Sequence, residues 1–323
     1  MAQTTHTLRS DLTFIGHISI DKVENMNGTK TQPGGGALYA AIAAKALNAK
    51  TAIVSAIGKD FSFADCFEGL DSTYMKKLNI PTTRYHIRYN DDWEADYLEV
   101  EPGAGARTGP SQIPLRSLQP GSIIHVSPMK PAKVAKIVSH IRQRSSDVTI
   151  SMNTWMGYTK EPRERRLLMK LASQVDFFML NEFEAKVLAQ TDSLSIALQR
   201  IAAKKLIVTM GKLGAIIGGI EMEPQMVPAL MIPTGKVVDT TGAGDVWNGA
   251  FLATYQTTHD TTKSVTVASV ISSIKCSRWG FKAIQQLSFQ KPSDVVEHVL
   301  ALKEGGMQKR ITDFAKARNV PPK

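Results

Sequence analysis

The chain has 323 residues, of which 43% are hydrophobic and 21% are charged. This suits a globular protein with one large α/β domain and an appendage, or with two domains. We find no run of about 18 apolar residues, no apolar signal segment and only two cysteines, so we expect no membrane span, secretory leader or disulfide framework, and we expect cytoplasmic residence. The net charge is +10, but the basic residues are mostly scattered and no aromatic residues interleave with their clusters. This pattern favours anionic small molecules over a nucleic acid as partners.

Strand and helix patterns alternate over the first part of the chain. The apolar runs from Asp11 to Ile15 and from Thr51 to Ile57 predict two strands. The alanine-rich run from Ala37 to Ala46 predicts a helix, and a second helix is expected from Phe67 to Leu78. The polar segment from Asn25 to Pro33 is expected to be a loop or a small excursion.

An insertion interrupts this series. The segments Thr82–Tyr89 and Glu94–Val100 alternate with period two and are joined by a turn at Asn90–Asp92, which predicts two antiparallel strands forming a flap beside the main sheet. The glycine-rich run Gly103–Gly109 resembles a dinucleotide-binding fingerprint, but its third glycine is one residue late and no amphipathic helix follows. We interpret it as the loop that returns from the flap, in a position to touch substrate.

The alternation resumes after the flap. The predicted strands are Ser122–Ser127, Val148–Met152, Val175–Leu180, Leu206–Thr209, Ala215–Ile220 and Val227–Ile232. The predicted helices are Pro131–Arg144, Arg163–Gln174, Leu194–Ile201, Lys263–Arg278 and Ser293–Leu302. This density of alternation predicts an α/β fold with a doubly wound, mostly parallel sheet flanked by helices.

Polar residues stand directly after several predicted strands. They are Asp21, Asn153, Asn181, Glu184, Thr209 and Asp245. In a doubly wound sheet the carboxyl ends of the strands lie along one edge, where ligands bind. We therefore expect these side chains to meet in one site.

The most specific motif is the segment 239–245, Asp-Thr-Thr-Gly-Ala-Gly-Asp, which leads into a predicted helix. Thr241 is the expected N-cap, and Gly242 and Gly244 let a ligand approach the backbone. Amides at a helix start, together with the helix dipole, form an anion site. Asp245 would repel a bound anion, but it is suited to accept a proton from a hydroxyl group attacking a phosphate. The helix dipole should keep Asp245 ionised, so we expect it to be a weak base. The alternative interpretation of the motif is a simple glycine-rich helix cap.

The pattern Asn181-x-x-Glu184 has two interpretations. It places an amide and a carboxylate three residues apart at a strand–helix junction, which suits Mg²⁺, an ion that needs only one or two protein groups. The alternative is a capping box, in which Asn181 is the N-cap and Glu184 the third helical residue.

Two glycine patterns predict close approach of a ligand to the backbone. One is Thr209-x-Gly211-x-x-Gly214, for which a tight hairpin bend is the alternative. The other is the Gly34-Gly35 pair before the first helix, where no acidic residue follows, so a ligand is expected to lie against the backbone.

Taken together, these motifs resemble those of the ribokinase-like (PfkB) family of carbohydrate kinases, from Phe14 to roughly Leu300. The resemblance implies an ATP-dependent, magnesium-using phosphotransferase with an alcohol group as acceptor. The flap strands correspond to the β lid of that family, which often mediates dimers, so the resemblance also implies a homodimer through the lid.

The resemblance further implies roles for individual residues. It implies Asp245 as the general base and an anion hole formed by Gly242, Ala243 and Gly244. Acceptor-binding residues would be Asp21, Gly34, Gly35 and Tyr39. Nucleotide-side residues would be Thr209, Gly211, Gly214 and Asn181, and Mg²⁺ would be held, through water, by Asn181 and Glu184. Some relatives hold a monovalent cation, which would lie here near Asp239 and Thr241.

Two departures from the family pattern affect the acceptor. Tyr39 stands where relatives often have an asparagine that contacts the sugar, and Ser151 replaces an acid that is common in relatives. A tyrosine there would narrow the pocket or offer an aromatic face, which suits a cyclic polyol or a nucleoside.

We expect residues 1–310 to form the kinase domain, with lid segments at about 17–33 and 82–108, and residues 311–323 to form a basic tail.

The sequence thus predicts transfer of the γ-phosphate of ATP to a hydroxyl of a sugar or polyol, with a nucleoside as the alternative acceptor. Two other classes remain open. One is a non-catalytic sugar-binding regulator of the same fold, against which the intact Asp245 argues. The other is a nucleic-acid-binding protein, which the net charge of +10 motivates.

Overall fold

Strands and helices alternate along the computed structural model of the protein, which describes residues 12–230 and 236–299. The strands are β1 (Leu12–Ile15), β2 (Ser19–Asn25), β3 (Gly28–Gly34), β4 (Thr51–Gly58), β5 (Met75–Leu78), β6 (Thr83–Tyr89), β7 (Ala95–Glu101), β8 (Ile123–Val126), β9 (Thr149–Asn153), β10 (Phe177–Asn181), β11 (Leu206–Thr209), β12 (Gly214–Gly219) and β13 (Met222–Pro228). The helices are α1 (Gly36–Ala46), α2 (Pro131–Arg142), α3 (Met156–Lys160), α4 (Pro162–Ala172), α5 (Glu182–Ala189), α6 (Leu194–Arg200), α7 (Ala243–Thr258), α8 (Thr261–Lys275) and α9 (Lys282–Gln285).

Within the described residues the main sheet has the strand order β13-β12-β11-β10-β9-β8-β1-β4-β5. All neighbours from β11 to β5 pair in parallel, and β12 and β13 are antiparallel additions at one edge. The predicted doubly wound, mostly parallel sheet is therefore confirmed. The chain leaves β1 toward β4 on one side and later returns to β8 on the other, so the strand order reverses at β1. In open α/β sheets the ligand crevice lies at such a point, beyond the carboxyl ends of the strands.

The core lies on both faces of this sheet. Neighbouring residues of a strand point to opposite faces, so Phe14 packs with apolar residues of α1, α7 and α8, whereas Ile15 packs with those of α2, α4 and α5. Both side chains are fully buried. Burial of a side chain of this size stabilises the fold by about 1.5–3 kcal/mol, so these two layers fix the strand ends that carry the polar residues.

A second sheet, the lid sheet, consists of β3, β2, β6 and β7 in that order. The two flap strands predicted from residues 82–100 are confirmed as β6 and β7, which pair in antiparallel fashion. Of the two expectations for Asn25–Pro33, a loop is wrong, because these residues form the end of β2, the turn and most of β3. The β2–β3 hairpin is instead an excursion from the main sheet into the lid sheet. Strand β3 is an edge strand with largely exposed polar side chains, so it lacks the apolar alternation that marks a strand.

The helix predicted from Phe67 to Leu78 is also wrong. A short 3₁₀ helix ends at Phe67, and turns lead into β5, which pairs with β4. Gly69 has a φ of 71°, a conformation that a continuing helix does not allow. The strand predicted at Val227–Ile232 begins earlier, as β13, and residues 231–232 lie outside the described residues.

The predicted last helix is only partly described. Residues 292–299 are helical, while residues 300–302 and the predicted basic tail at 311–323 lie outside the described residues. None of the helices in the described part of the chain combines the length and apolar character needed to cross a bilayer.

Candidate active site

A cavity of about 340 Å³ opens at the carboxyl edge of the parallel strands and is lined by residues of both sheets. All the polar side chains that we expected to meet there do line it: Asp21, Asn153, Asn181, Glu184, Thr209 and Asp245. The predicted residues Gly35, Tyr39, Gly242, Ala243 and Gly244 line it as well. The carboxyl edge thus gathers carboxylates, amides and a helix start around one space.

The segment before α7 forms a tight turn against the cavity. Gly242 is the N-cap of α7 with a φ of 71°, and a Cβ there would lie 2.6 Å from the ring of Tyr39, so only glycine fits. The prediction that Thr241 is the N-cap is therefore wrong; its amide instead donates to Asp239 Oδ1 at 2.8 Å. The amide of Ala243 donates to the carbonyl of Thr240 at 3.0 Å, and the remaining early amides of α7 are the donors available for an anion.

Asp245 lies in the first turn of α7 and contacts two elements of the sheet edge. Asn153, the last residue of β9, donates from Nδ2 to Asp245 Oδ1 at 3.2 Å. Gly36 at the start of α1 approaches so closely that a Cβ there would lie 2.8 Å from the same oxygen. Burial raises the pKa of Asp245 to about 6, and the Asn153 hydrogen bond opposes this shift. Burial therefore acts against the helix dipole, which was expected to keep Asp245 a weak base.

Asp21 belongs to the lid sheet, since it is the third residue of β2 and does not directly follow β1. It is 3% exposed, and among the described residues its Oδ1 has no hydrogen-bond partner. Burial raises the pKa of Asp21 to about 7, and the carboxylates of Asp239 and Asp245 add to the shift. Gly34 at the end of β3 lies against the Asp21 carboxylate, and His17, which the sequence did not single out, lines the cavity beside them.

Asn181 and Glu184 form the capping box that stood as the alternative interpretation. Asn181 Oδ1 accepts from the amide of Glu184 at 2.8 Å, and Glu184 Oε2 accepts from the amide of Asn181 at 3.0 Å. Both residues also line the cavity. Burial raises the pKa of Glu184 to about 8, and Asp245 adds to the shift. A cap does not require a buried, cavity-lining carboxylate, so capping leaves room for a second role.

The described residues contain no cluster of three or more His, Cys, Asp or Glu side chains that could hold a metal ion tightly. Mg²⁺ fits this donor set, because it keeps several waters and needs only one or two protein oxygens. Glu184 and Asn181 are the groups at this edge of the cavity that could hold it.

Thr209 ends β11 and lines the cavity, with its hydroxyl donating to the carbonyl of Leu180 at 3.3 Å. Gly211 and Gly214 lie just beyond, at the ends of the turn between β11 and β12. Gly214 packs against the backbone of Val227, as the hairpin alternative requires, whereas a Cβ at Gly211 would meet open space.

Five aromatic side chains form what we call the aromatic wall of the cavity: Tyr85, Tyr89, Tyr97, Trp155 and Tyr158. The Tyr97 ring meets Trp155 edge-on with centroids 5.1 Å apart, and Trp155 meets Tyr158 in the same way at 5.4 Å. Among the described residues the indole nitrogen of Trp155 has no hydrogen-bond partner. This wall was not predicted from the sequence, although Tyr85 and Tyr89 stand an even number of residues apart on β6 and so share one face.

The monovalent cation expected near Asp239 and Thr241 does not fit the residues present. The ammonium of Lys275 donates to the Asp239 carbonyl at 2.7 Å and lies 3.4 Å from Asp239 Oδ2. The ring of Tyr39 lies beneath this group, with its centroid 5.6 Å from Lys275 Nζ. A positive charge of the chain itself therefore lies against the two Asp239 oxygen atoms that a cation beside this residue would use.

The chain resembles known kinases in sequence and in fold. A model of the pfkB family carbohydrate kinases matches residues 10–285. A cytidine kinase of Thermococcus kodakarensis is 31% identical over 253 residues, which cover 76% of this chain and 88% of that protein. Two solved structures share the ribokinase-like fold, each covering 90% of this chain and 98% of the other. One is a Burkholderia thailandensis nucleoside kinase in complex with inosine (TM-score 0.73, 18% identity), and the other is a Vibrio cholerae fructokinase double mutant with fructose, ADP and potassium ion (TM-score 0.73, 20% identity). The chain therefore belongs to the pfkB family of carbohydrate kinases, phosphotransferases that act on hydroxyl groups and use ATP with a divalent metal.

Proposed function

We propose that this protein transfers the γ-phosphate of ATP to a hydroxyl group of a nucleoside. The observation that carries the acceptor class is the aromatic wall, which faces the same cavity as Asp21 and Asp245. Nucleobases stack on aromatic side chains, and such stacking contributes about 1–3 kcal/mol per base. The 31% identity to a cytidine kinase supports the same choice. A free sugar or polyol, the acceptor favoured by the sequence motifs, is the second candidate, because Asp21 and Asn153 can bind hydroxyl groups without any base being present.

In the proposed complex the acceptor lies between the lid sheet and the start of α7. The Asp21 carboxylate, whose Oδ1 has no partner among the described residues, accepts a hydrogen bond from a hydroxyl of the sugar. Gly34 and Gly35 supply backbone beside it, and the base lies on the aromatic wall. The phosphorylated hydroxyl is then directed to Asp245.

The donor side consists of α7 and the ends of β10 and β11. The early amides of α7, in the segment Gly242–Gly244, hold the γ-phosphate, and the nucleotide lies along Thr209 and the turn from Gly211 to Gly214. Glu184 and Asn181 hold Mg²⁺ through water. When bound, the ion neutralises charge on the phosphates during transfer.

Asp245 acts as the general base of the transfer. Its carboxylate takes the proton of the acceptor hydroxyl as the new oxygen–phosphorus bond forms and the bond to the ADP oxygen breaks. A pKa of about 6 keeps Asp245 mostly ionised at pH 7 and makes it a better proton acceptor than an ordinary aspartate. A base of this kind contributes about 10²–10⁴-fold in rate.

We also propose that the protein is a homodimer that pairs through the lid sheet. The apolar side chain of Leu98 on β7, which is about two-fifths exposed and does not line the cavity, supports this proposal. The oligomeric state follows from light scattering after gel filtration; a monomer at micromolar concentration contradicts a lid-mediated dimer.

A coupled ADP-release assay over a panel of nucleosides, ribose, fructose and inositol tests the acceptor. We expect kcat/KM for at least one nucleoside to exceed that for ribose by about five- to 150-fold, the equivalent of one stacked base. Equal or better turnover of a free sugar or polyol would make that compound the acceptor class and leave the kinase assignment intact. Salt-sensitive binding of nucleic acid with no ADP release from any acceptor would contradict both.

A further inference from the structure

Lys275 is a lysine that the fold holds entirely away from water. It is the last residue of α8 and is 0% exposed. Lysine is almost never fully buried unless its charge is paired. Here the Asp239 carbonyl lies 2.7 Å and the Asp239 Oδ2 atom 3.4 Å from the ammonium, and the Tyr39 ring lies beside it. The charge is therefore fixed at one point behind the segment 239–242.

Asp239 connects that charge to the start of α7. Its Oδ1 accepts from the amide of Thr241 at 2.8 Å, and its Oδ2 accepts from the amide of Gly280 at 2.8 Å and from Gln32 Nε2 at 3.2 Å. The amides of Val238 and Asp239 donate to the carbonyl of Cys276, at 2.8 Å and 3.3 Å. The residues next to Lys275 in sequence thus also hold the turn that leads into the anion cradle.

A cation at this place has an electrostatic use. Asp21, Asp239 and Asp245 bring three carboxyl groups to the region that would receive a phosphate, and each of the last two raises the pKa of Asp21. A fixed positive charge beneath the turn offsets this repulsion in a buried place where salt screens it weakly. Burial lowers the pKa of the Lys275 ammonium, while the Asp239 carboxylate opposes that shift.

We propose that the Lys275 ammonium is a built-in replacement for a monovalent cation, so that this kinase works without potassium. Lys275 is a positioning residue: it acts on the phosphate-binding turn through Asp239 and contacts neither substrate nor ATP. This inference rests on the proposed function, in that the turn is taken to bind the γ-phosphate. It replaces the expectation of a free cation near Asp239 and Thr241.

The first test compares the wild-type protein in potassium chloride and in choline chloride at equal ionic strength, with ATP supplied as a salt free of sodium and potassium. We expect the same kcat in both salts and the same melting temperature, since a bound ion would raise the latter. Activation of the wild type by potassium, or a rise in its melting temperature with potassium over choline, overturns the proposal.

The second test uses Lys275→Ala, with Lys205→Ala as the matched control. Lys205 also places its ammonium over aromatic rings, those of Phe177 and Tyr255, but it lies away from the cavity. We expect Lys275→Ala to lose roughly 10²-fold in kcat in choline chloride, because the turn moves, and to regain rate and melting temperature with potassium or ammonium. Lys205→Ala should respond equally to all salts. A folded Lys275→Ala with normal kcat in choline chloride, or with a loss that neither ion restores, contradicts the proposal.

The two tests separate this inference from the proposed function. If the wild type phosphorylates no acceptor in any salt, the proposed function fails, and the melting temperatures still report whether the wild type binds potassium. If Lys275→Ala does not fold, the wild-type comparison decides alone. If the wild type is active but depends on potassium, the proposed kinase activity stands and only the proposed role of Lys275 is contradicted.

Discussion

Asn153 Nδ2 donates a hydrogen bond to Asp245 Oδ1 at 3.2 Å, joining the end of β9 to the first turn of α7. The contact couples the main sheet to the proposed base and stabilises the charged form of the carboxylate. Burial nevertheless dominates, so the pKa of Asp245 is raised to about 6. The protonation of Asp245 therefore changes just below neutral pH, which makes the pH dependence of the reaction informative.

The substitution Asn153→Ala should shift the pH profile of kcat/KM. As the proposed base, Asp245 must be ionised, so the rate should fall as pH drops through the pKa of this group. Loss of the Asn153 donor removes an interaction that favours the carboxylate, so its pKa rises and the acid limb moves to higher pH. The measurement is kcat/KM between pH 5 and pH 9 for both proteins.

Asp21 complicates this profile because its pKa is raised to about 7. The wild-type acid limb should therefore lie between pH 6 and pH 7. Asp21→Asn, measured alongside, removes the titration of Asp21, so that the remaining acid limb is due to Asp245. An acid limb near pH 4 in the wild type, or an unshifted limb in Asn153→Ala, would remove the connection between Asn153, the raised pKa and the rate.

Glu184→Gln should raise the Mg²⁺ concentration needed for half-maximal rate. Glutamine can replace glutamate in a capping box, so α5 should keep its cap and the melting temperature should change little. The variant replaces the carboxyl group, which would bind the ion in its ionised form, by an amide that cannot ionise. A Mg²⁺ titration of initial rates, with Glu182→Gln on the same helix as control, checks this. Superimposable titrations of Glu184→Gln and wild type would reduce Glu184 to a capping residue.

Tyr97→Leu should weaken acceptor binding without affecting ATP. Tyr97 lies on β7 with its ring against Trp155, so its loss removes one aromatic surface and leaves Asp245 in place. We expect the KM for the nucleoside to rise roughly five- to 150-fold and the KM for ATP to stay the same. Tyr74→Leu, which alters a tyrosine outside the cavity, is the control. Equal KM values for the nucleoside in wild type and Tyr97→Leu would argue against stacking and in favour of a free sugar.

The sequence predicts the parts of the fold that depend on local patterns. Apolar runs predict most of the parallel strands, and helical periodicity predicts most of the helices between them. Alternation of apolar and polar residues predicts β6 and β7. Strand β3 and the turn around Gly69 are not predicted. An exposed edge strand and a turn with positive φ have no periodic pattern of apolar residues. In these places tertiary pairing decides the structure.

The same division holds for the candidate site. Asp245 and Glu184 can be predicted from local motifs, because the residues next to them in the sequence also form the local structure around them. Lys275 and Trp155 are not, because Lys275 meets Asp239 across 36 residues. Trp155, which lies between β9 and α3, meets Tyr97 of the distant lid strand β7. The raised pKa of Asp245 is likewise a consequence of burial by distant elements. The helix dipole alone would favour the carboxylate and so lower this pKa.

The most direct test of the account is the rate of nucleoside-dependent ADP release by Asp245→Asn. Asparagine keeps the size of the side chain but cannot accept the proton, so we expect kcat to fall by about 10²–10⁴-fold while ATP still raises the melting temperature. Near-wild-type turnover by a folded, ATP-binding Asp245→Asn protein would contradict the role of Asp245 as the base.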